Sequence, residues 1–253
     1  MATIALPDLV LVHGGEHAGD CWDLTVGAIQ RQDPGLRTLA VSLPGHGDKP
    51  GDLRTATIKE WVDSAVADIE QAGLGDIVIV GHSMAGLSVP GIVTALGAGR
   101  VREMILASAF VPPAGHAIVD TLDGPLAWFA RRAAQIGRPM KIPSVVARYA
   151  FCNGMTPEQR RFTMSRLQPE SACIPAETVD RSGLPPEVPR TWILTTRDRA
   201  LSVRSQQDSI AALGGVQAVI EIDACHELMI SHPEQLAHIL IDRCRRYAIQ
   251  GAT

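Results

Sequence analysis

Short apolar runs alternate with more polar segments of helical spacing along this chain of 253 residues. Six of the runs are rich in β-branched residues and end at turn residues, which is typical of buried strands. They lie at residues 8–13, 37–42, 77–81, 103–107, 191–195 and 218–222. The last segment has helical spacing instead, with Leu236 and Leu240 on one face after Pro233. The alternation predicts an α/β fold with a mainly parallel sheet of about six strands and helices on both faces.

The alternation is interrupted once, where more than 70 residues separate the fourth and fifth predicted strands. One helix is enough to join two neighbouring parallel strands, so the extra length indicates an insertion. Proline pairs flank it, Pro112-Pro113 before and Pro185-Pro186 after. We therefore expect a core domain of residues 1–112 and 188–253, with residues 113–187 forming a helical cap, or lid, over it.

The insertion contains apolar side chains that could reach a pocket beneath it. Trp128, Phe129 and Met140 are the candidates for the pocket wall. The alternative, which is the more usual role for any single apolar residue, is packing within the small core of the cap itself.

A buried strand leads directly into a turn of small residues that carries one serine, at residues 77–86. This pattern is typical of a nucleophile elbow, in which Ser83 would stand at the apex of a strained turn. Gly81 and Ala85 suit the close approach of strand and helix, although the usual pattern has Gly at the position of Ala85. The alternative is an ordinary strand-to-helix turn.

A serine hydroxyl becomes a good nucleophile when a histidine base is held beside it by a carboxylate. Asp198 and His226 each follow a predicted strand, so Ser83, Asp198 and His226 are expected to meet at one rim of the sheet. Asp223 is the competing acid, but it lies only three residues before His226 and is badly placed to reach the imidazole. His82 is the competing base, but adjacent residues at a sharp turn point in different directions.

A second strand leads into glycines, in the stretch that ends His13-Gly14-Gly15. We expect the backbone N–H groups of Gly15 and Met84 to form an oxyanion hole. Met84 begins the helix after the elbow, where the helix dipole is positive. Gly14 and His82, beside these donors, are further candidates for the pocket wall. The alternative is a glycine-rich turn that binds nothing.

Several motifs spread over nearly the whole chain, except its middle, carry a resemblance to known proteins. They are His13-Gly14-Gly15, Asp20-Cys21-Trp22, Leu43-Pro44-Gly45-His46-Gly47, Gly81-His82-Ser83-Met84-Ala85-Gly86, Ala107-Ser108-Ala109-Phe110-Val111-Pro112, Thr196-Arg197-Asp198 and Cys225-His226. Together they resemble the α/β-hydrolase superfamily, above all the branch that holds plant methyl esterases, hydroxynitrile lyases and many bacterial carboxylesterases. The resemblance implies a serine hydrolase acting through an acyl-enzyme, with Ser83, Asp198, His226 and the Gly15 and Met84 amides in the catalytic positions.

The same resemblance argues against relatives with other chemistry. Dehalogenases and epoxide hydrolases of this fold have aspartate where this chain has Ser83. The similar hydroxynitrile lyases have threonine in place of Gly14 and lysine in place of Glu227. A C–C lyase and a small-molecule receptor remain the alternative functions. We expect Glu227 to point to solvent, because a carboxylate beside the base would repel an anionic intermediate.

Composition excludes several other classes of protein. The chain is 46% hydrophobic and 20% charged with a net charge of −4, which is ordinary for a globular domain and gives no footprint for nucleic acid. No apolar run approaches the roughly 20 residues that span a bilayer, so no membrane partner is expected. The first residues lack the basic segment of a secretory signal, which favours a cytoplasmic location.

The five cysteines are too dispersed for a zinc knuckle or a redox pair, and we expect them to be reduced and structural. Neither a metal nor an organic cofactor is expected. The apolar cap predicts a small to medium, fairly apolar ester or lactone as substrate. Arg197 and Arg199 flank Asp198 and could recognise an acid group, although solvated loop arginines are more usual. The sequence gives no prediction of the oligomeric state.

Overall fold

The computed structural model describes residues 4–121 and 124–250; the side chains of residues 4–5, 124–127, 129 and 249–250 lie outside the description. The strands are β1 Ile4–Ala5, β2 Asp8–Val12, β3 Thr38–Val41, β4 Ile77–His82, β5 Val101–Ala107, β6 Arg190–Thr195, β7 Ala218–Ile222 and β8 Ile249–Gln250. Strands β2 to β7 form one parallel sheet in the order β3-β2-β4-β5-β6-β7. This sheet confirms the predicted fold class.

The helices flank this sheet. They are α1 Asp23–Gln32, α2 Ile58–Gln71, α3 Val89–Leu96, α4 Ile118–Thr121, α5 Gly124–Ile136, α6 Ser144–Phe151, α7 Pro157–Arg166, α8 Val203–Ala212, α9 Leu228–Ser231 and α10 Pro233–Arg245, with short 3-10 helices at Gly19–Trp22, Ser83–Gly86 and Ile174–Ala176. Trp61 of α2 and Ile92 of α3 pack in one apolar core, and Ile29 of α1 and Leu236 of α10 pack in another. Helices therefore cover both faces, because the strands are apolar on both sides.

Strand β4 lies in the middle of the sheet, between β2 and β5, and all of its residues are buried. Its β-branched run explains this position, since a central parallel strand has no solvent-exposed face. Strand β5 begins two residues earlier than expected, at Val101 rather than Glu103. The early start is irregular, because Ile77 pairs with Val101 whereas Val78 pairs with Glu103. This start was not predicted, because Arg102 and Glu103 are polar and interrupt the apolar run.

The small antiparallel pair of β1 and β8 was not predicted. Each strand has only two residues, which is too short for a hydrophobic period to be recognised.

Helices α4 to α7 all lie in the connection between β5 and β6, within the predicted cap of residues 113–187. Helix α7 begins with a capping box, in which the Thr156 hydroxyl accepts from Gln159 N–H and the Gln159 side chain accepts from Thr156 N–H. Gln159 also donates to the carbonyls of Ile230 and Ser231, which ties the insertion to helix α9. The division into core and cap stays a prediction.

Within residues 4–121 and 124–250, none of the helices combines the length and the hydropathy needed to cross a bilayer.

Candidate active site

The turn after β4 holds Ser83 in a strained backbone conformation. Its φ is +53°, in the left-handed region that side-chain-bearing residues rarely adopt. The elbow is tight: a Cβ on Gly81 would lie 2.8 Å from Val89 Cγ2 and 3.3 Å from Ala85 Cβ. Small residues at these positions therefore allow the strand and the following helix to approach each other, and Ser83 is presented at the sheet rim.

The structure brings Ser83, His226 and Asp198 together. Ser83 Oγ lies 2.9 Å from His226 Nε2, and His226 Nδ1 lies 2.7 Å from Asp198 Oδ2. Each ring nitrogen thus has one partner, and the carboxylate fixes the tautomer in which Nδ1 carries a proton and Nε2 faces the hydroxyl. The three side chains are separated by 115 and 28 positions in the sequence, and the carboxyl ends of β4, β6 and β7 bring them to one rim.

Asp198 is held by more than the histidine. Its Oδ1 accepts from the backbone N–H groups of Ala200 (2.8 Å) and Leu201 (2.7 Å), and the Thr195 hydroxyl donates to Oδ2 at 3.0 Å. Burial would raise the pKa of Asp198, but the charge of His226 and these hydrogen bonds lower it below its usual value. Asp198 is therefore a fixed anion.

Sequence reasoning missed the support behind Asp198. Ser108, which has a φ of +45° at the end of β5, lies with its Oγ 2.7 Å from Thr195 Oγ1. A buried chain of hydrogen bonds thus leads from Ser108 through Thr195 to Asp198. The motif Ala107-Ser108-Ala109 had drawn attention only as part of the family resemblance.

Opposing effects act on the pKa of His226. Burial favours the neutral ring, but the charge of Asp198, the hydrogen bond to it and the charge of Glu227 together raise the pKa above its ordinary value. The environment therefore stabilises the imidazolium that forms when His226 accepts a proton.

The competing residues are placed elsewhere. Asp223 is exposed and accepts from the Thr196 hydroxyl at 3.0 Å. The Nε2–H of His82 donates to the backbone carbonyl of His226 at 2.9 Å. Burial and the charge of His226 hold the pKa of His82 well below its usual range, so His82 is a neutral ring behind His226.

A cavity with an empty volume of about 750 Å³, including its mouth, opens beside Ser83 and His226. Its lining is Gly15, Glu16, Ser83, Met84, Phe110, Ile118, Ala130, Ala133, Met140, Ile142, Phe151, Glu170, Ser171, Pro175, Ala200, His226 and Glu227. Most of the lining is apolar, but three residues are glutamates, two of which sequence reasoning had not singled out. The lining residues come from both the predicted core and the predicted cap.

Among the predicted pocket residues whose side chains the structure describes, only Met140 lines this cavity. Trp128 is 68% exposed and lies outside the lining, because its face of α5 is turned to solvent. Phe129 has a side chain outside the described part of the structure. His82 lies behind His226, and Gly14 lies behind Ser83, where a Cβ would come within 2.6 Å of Ser83 Cβ.

Gly15 and Met84, the predicted oxyanion donors, both line the cavity beside Ser83. They are neighbours in space, since a Cβ on Gly15 would lie 2.5 Å from Met84 Sδ. Met84 is in the first turn of the 3-10 helix Ser83–Gly86. Their role as donors stays a prediction.

Glu227 does not point to solvent, so that expectation was wrong. Its side chain is 1% exposed and lines the cavity. Glu227 is followed by the buried helix α9, so the loop beyond His226 runs through the interior. His17 Nε2 lies 3.8 Å from Glu227 Oε2.

His82, His226 and Glu227 place potential metal-ligand atoms within 4.8 Å of one another. Both ring nitrogens of His226 are engaged by Ser83 and Asp198. A metal at this point would therefore replace the hydrogen bond between Ser83 and His226, so the donor set fits hydrogen bonding better than metal binding.

The parallel sheet, the serine at the elbow and the His–Asp pair at the next strand ends are the features of one class of protein, the α/β hydrolases. The model of the Alpha/beta hydrolase family matches residues 9–239, and the chain belongs to that family. The family resemblance found in the sequence is thereby confirmed.

Several of the proteins similar to this chain have names that describe esterases and hydrolases. A pyrethroid hydrolase of Sphingobium wenxiniae is 25% identical, covering 94% of this chain and 88% of the relative. Methylesterase 7 of Arabidopsis thaliana is 27% identical, covering 94% and 96%. A carbendazim hydrolyzing esterase of a Nocardioides species is 29% identical, but the match spans only 46% of this chain and 48% of that protein.

Solved structures agree on the fold. An extracellular α/β-hydrolase from a Paenibacillus species has a TM-score of 0.84 at 20% identity, covering 94% of this chain and 99% of the other. A pyrethroid hydrolase from Sphingobium faniae has a TM-score of 0.75 at 23% identity, covering 95% and 98%. Because the first neighbour is described as extracellular, the cytoplasmic location expected from the sequence stays a prediction.

Proposed function

We propose that this protein is a serine hydrolase that cleaves carboxylic esters of small to medium size through an acyl-enzyme on Ser83. One observation carries the proposal: Ser83 Oγ, 2.9 Å from His226 Nε2, opens onto a mostly apolar cavity while Asp198 holds the other ring nitrogen. The esterase and hydrolase names of the relatives support the same reaction type.

The proposed reaction has two halves. His226 Nε2 accepts the proton of Ser83 Oγ as that oxygen attacks the ester carbonyl carbon, and the carbonyl π electrons move to its oxygen. The N–H groups of Gly15 and Met84 donate to this oxyanion, and each such donor is typically worth about 3 kcal/mol of transition-state stabilisation. His226 then protonates the alkoxide as the carbon–oxygen bond breaks, and the alcohol leaves.

Water completes the cycle. His226 accepts a proton from a water molecule, the hydroxide attacks the acyl carbon, and the intermediate collapses to release the acid and return the proton to Ser83. Asp198 stays ionised throughout and stabilises the imidazolium, in keeping with its lowered pKa. None of these steps calls for a cofactor.

The insertion contributes to the proposed site. Met140, Ile142 and Phe151 belong to residues 113–187 and line the cavity. We propose that the insertion acts as a cap that shapes the acyl or alcohol pocket and limits the entry of water. Substrate size would then be set by the cap.

The test is hydrolysis of p-nitrophenyl esters, from acetyl to long acyl chains, by the wild type, Ser83→Ala and the control Ser182→Ala. Ser182 is exposed and is not among the residues that line the cavity, so its variant should match the wild type. We expect turnover to be lost in Ser83→Ala alone, and diethyl p-nitrophenyl phosphate to label Ser83, as read by peptide mass. Equal turnover by Ser83→Ala would contradict the proposal, and binding of esters without turnover or labelling would favour a receptor or a lyase.

A further inference from the structure

The cavity beside Ser83 is mostly apolar, and three of its few polar side chains are carboxyl groups. Glu16, Glu170 and Glu227 all line it. Among the described residues of the lining there is neither a lysine nor an arginine. The three glutamates come from distant parts of the chain, so the folded structure gathers three ionisable carboxyl groups at this wall.

Glu170 is fully partnered by the protein. Its Oε2 accepts from the backbone N–H of Glu16 at 2.9 Å and lies 3.2 Å from His46 Nε2, and its Oε1 accepts from Ser171 N–H at 2.6 Å. Burial would lower the pKa of His46, but the hydrogen bond and the charge of Glu170 raise it. Glu170 therefore has a basic side chain, His46, within hydrogen-bond distance.

Glu16 and Glu227 are not matched in this way. Glu16 uses Oε1 to accept the N–H of Ile142, whereas its Oε2 has no hydrogen-bond partner among the described residues. Glu227 Oε2 also has none, and the nearest basic atom is His17 Nε2 at 3.8 Å, beyond hydrogen-bond distance. Only 3% of Glu16 and 1% of Glu227 are exposed.

Such an arrangement is costly in an empty protein. Burial, together with repulsion from the charges of Glu170 and Glu227, raises the pKa of Glu16 to about 8, so Glu16 is mostly protonated near neutral pH while the cavity is empty. A positive charge in the cavity would relieve this repulsion, because electrostatic interactions are strong where water is excluded.

We propose that the substrate carries a positively charged nitrogen, and that Glu16 and Glu227 select it by charge. This inference rests on the proposed function, since it concerns the ester that Ser83 cleaves. It refines the expectation of a fairly apolar ester by adding a positively charged group to it. Anionic esters are excluded by the same groups, as like charges repel.

The test uses two pairs of esters of equal shape that differ in charge. On the alcohol side, 2-(trimethylammonio)ethyl acetate is compared with 3,3-dimethylbutyl acetate. On the acyl side, the ethyl ester of trimethylglycine is compared with ethyl 3,3-dimethylbutanoate. Hydrolysis is followed in a pH-stat, kcat/KM is corrected for the rate with hydroxide, and the ratio of charged to neutral ester is the readout.

The variants are Glu16→Gln and Glu227→Gln, with the exposed Glu187→Gln as the matched control. Glutamine keeps an oxygen that can accept from Ile142 N–H, so Glu16→Gln removes the carboxyl that a bound cation would ionise and little else. We expect a wild-type preference for the charged ester of about tenfold or more in at least one pair. Either cavity variant should reduce this preference several-fold, whereas Glu187→Gln should retain it.

The outcomes separate the two proposals. If neutral esters are turned over by Ser83 but neither pair shows a preference that the cavity variants reduce, the charge selection is wrong and the esterase function stands. If no ester in either pair or in the p-nitrophenyl series is cleaved, the esterase function fails, and the inference fails with it.

Discussion

The contact between Gly86 and the loop after β5 offers a direct test of how the elbow holds Ser83. A Cβ on Gly86 would lie 2.4 Å from the carbonyl oxygen of Phe110 and 3.1 Å from Val111 Cγ2. Ordinary contacts of a Cβ begin at 3.4 Å, so in Gly86→Ala the two backbone segments would have to separate by about 1 Å. Phe110 N–H donates to Ser83 O at 2.9 Å, so this displacement reaches the serine.

The expected magnitude follows from the nature of the clash. Overpacking costs about 1–3 kcal/mol. We expect the free energy of unfolding to fall by about 3 kcal/mol, because the opposing atom belongs to the backbone and cannot rotate away. A shift of about 1 Å in a reacting group lowers the rate by roughly 100-fold, equivalent to about 2.7 kcal/mol of activation free energy. Gly86→Ala should therefore lose both stability and turnover.

Urea unfolding followed by tryptophan fluorescence measures the free energy of unfolding, and hydrolysis of p-nitrophenyl acetate measures kcat. The matched control is Gly99→Ala, because nothing lies within 4 Å of a Cβ there. If Gly86→Ala unfolded at the same urea concentration as Gly99→Ala and kept its kcat, the close packing of the elbow against Phe110 would not be what positions Ser83.

Three further predictions concern the acid, the base and the cysteines. Asp198→Asn should lower kcat/KM by about 10⁴, the size of effect typical when a triad aspartate becomes an amide, and a loss of less than about tenfold would count against its role. Because His226 acts as a base only when neutral and its pKa is raised, kcat/KM should fall as pH decreases with a midpoint above 6.5; a midpoint below that value would contradict the assignment. In the native protein only Cys173 should react quickly with a thiol reagent, because it is half-buried whereas the other four cysteines are buried; two fast thiols would contradict the structure. The other four are Cys21, Cys152, Cys225 and Cys244, and burial raises the pKa of each of these thiols.

The sheet and the meeting of Ser83, Asp198 and His226 could be predicted because their signals are local. Each of the three residues follows a β-branched run, and parallel strands place their carboxyl ends at one edge. The topology then needs no knowledge of side-chain packing. The same logic explains why Asp223, close in sequence to His226, could be rejected as the acid before its exposed position was known.

The cavity wall could not be predicted, because it is built from contacts between distant parts of the chain. Glu16 and Glu170 are 154 positions apart, and one accepts the backbone N–H of the other. Nothing in the residues around 170 indicates that they return to the turn after β2. Trp128 shows the same limit in the opposite sense, since an apolar residue on a cap helix can face solvent as readily as the pocket.

Glu227 was misplaced for a different reason. The expectation that it points to solvent took the repulsion between a carboxylate and an anionic intermediate as decisive. That repulsion is decisive only when no positive charge binds beside the carboxylate. Glu227 lines the cavity together with Glu16. A cationic substrate would turn the same charge into a favourable interaction.

Five histidines are buried in the described part of the chain, so burial alone does not identify the candidate base. His82 is adjacent in sequence, yet it donates to a carbonyl, and burial keeps it neutral. His13 donates from Nδ1 to the Gly14 carbonyl and accepts from Leu43 N–H at Nε2, so both of its nitrogens are engaged by backbone. Burial, followed by the charge of His46, likewise holds the pKa of His13 well below its usual range.

A carboxylate on one side and a hydroxyl on the other distinguish His226 from these neighbours. His46 Nε2 also lies beside a carboxylate, that of Glu170. Its Nδ1, however, has no hydrogen-bond partner among the described residues, so no hydroxyl faces it. Only His226 faces Asp198 through Nδ1 and Ser83 through Nε2 within the described part of the chain. The contacts with Asp198 and Ser83 therefore identify His226 as the candidate base. This is why the position of Asp198 at a strand end was more informative about function than the number of histidines in the sequence.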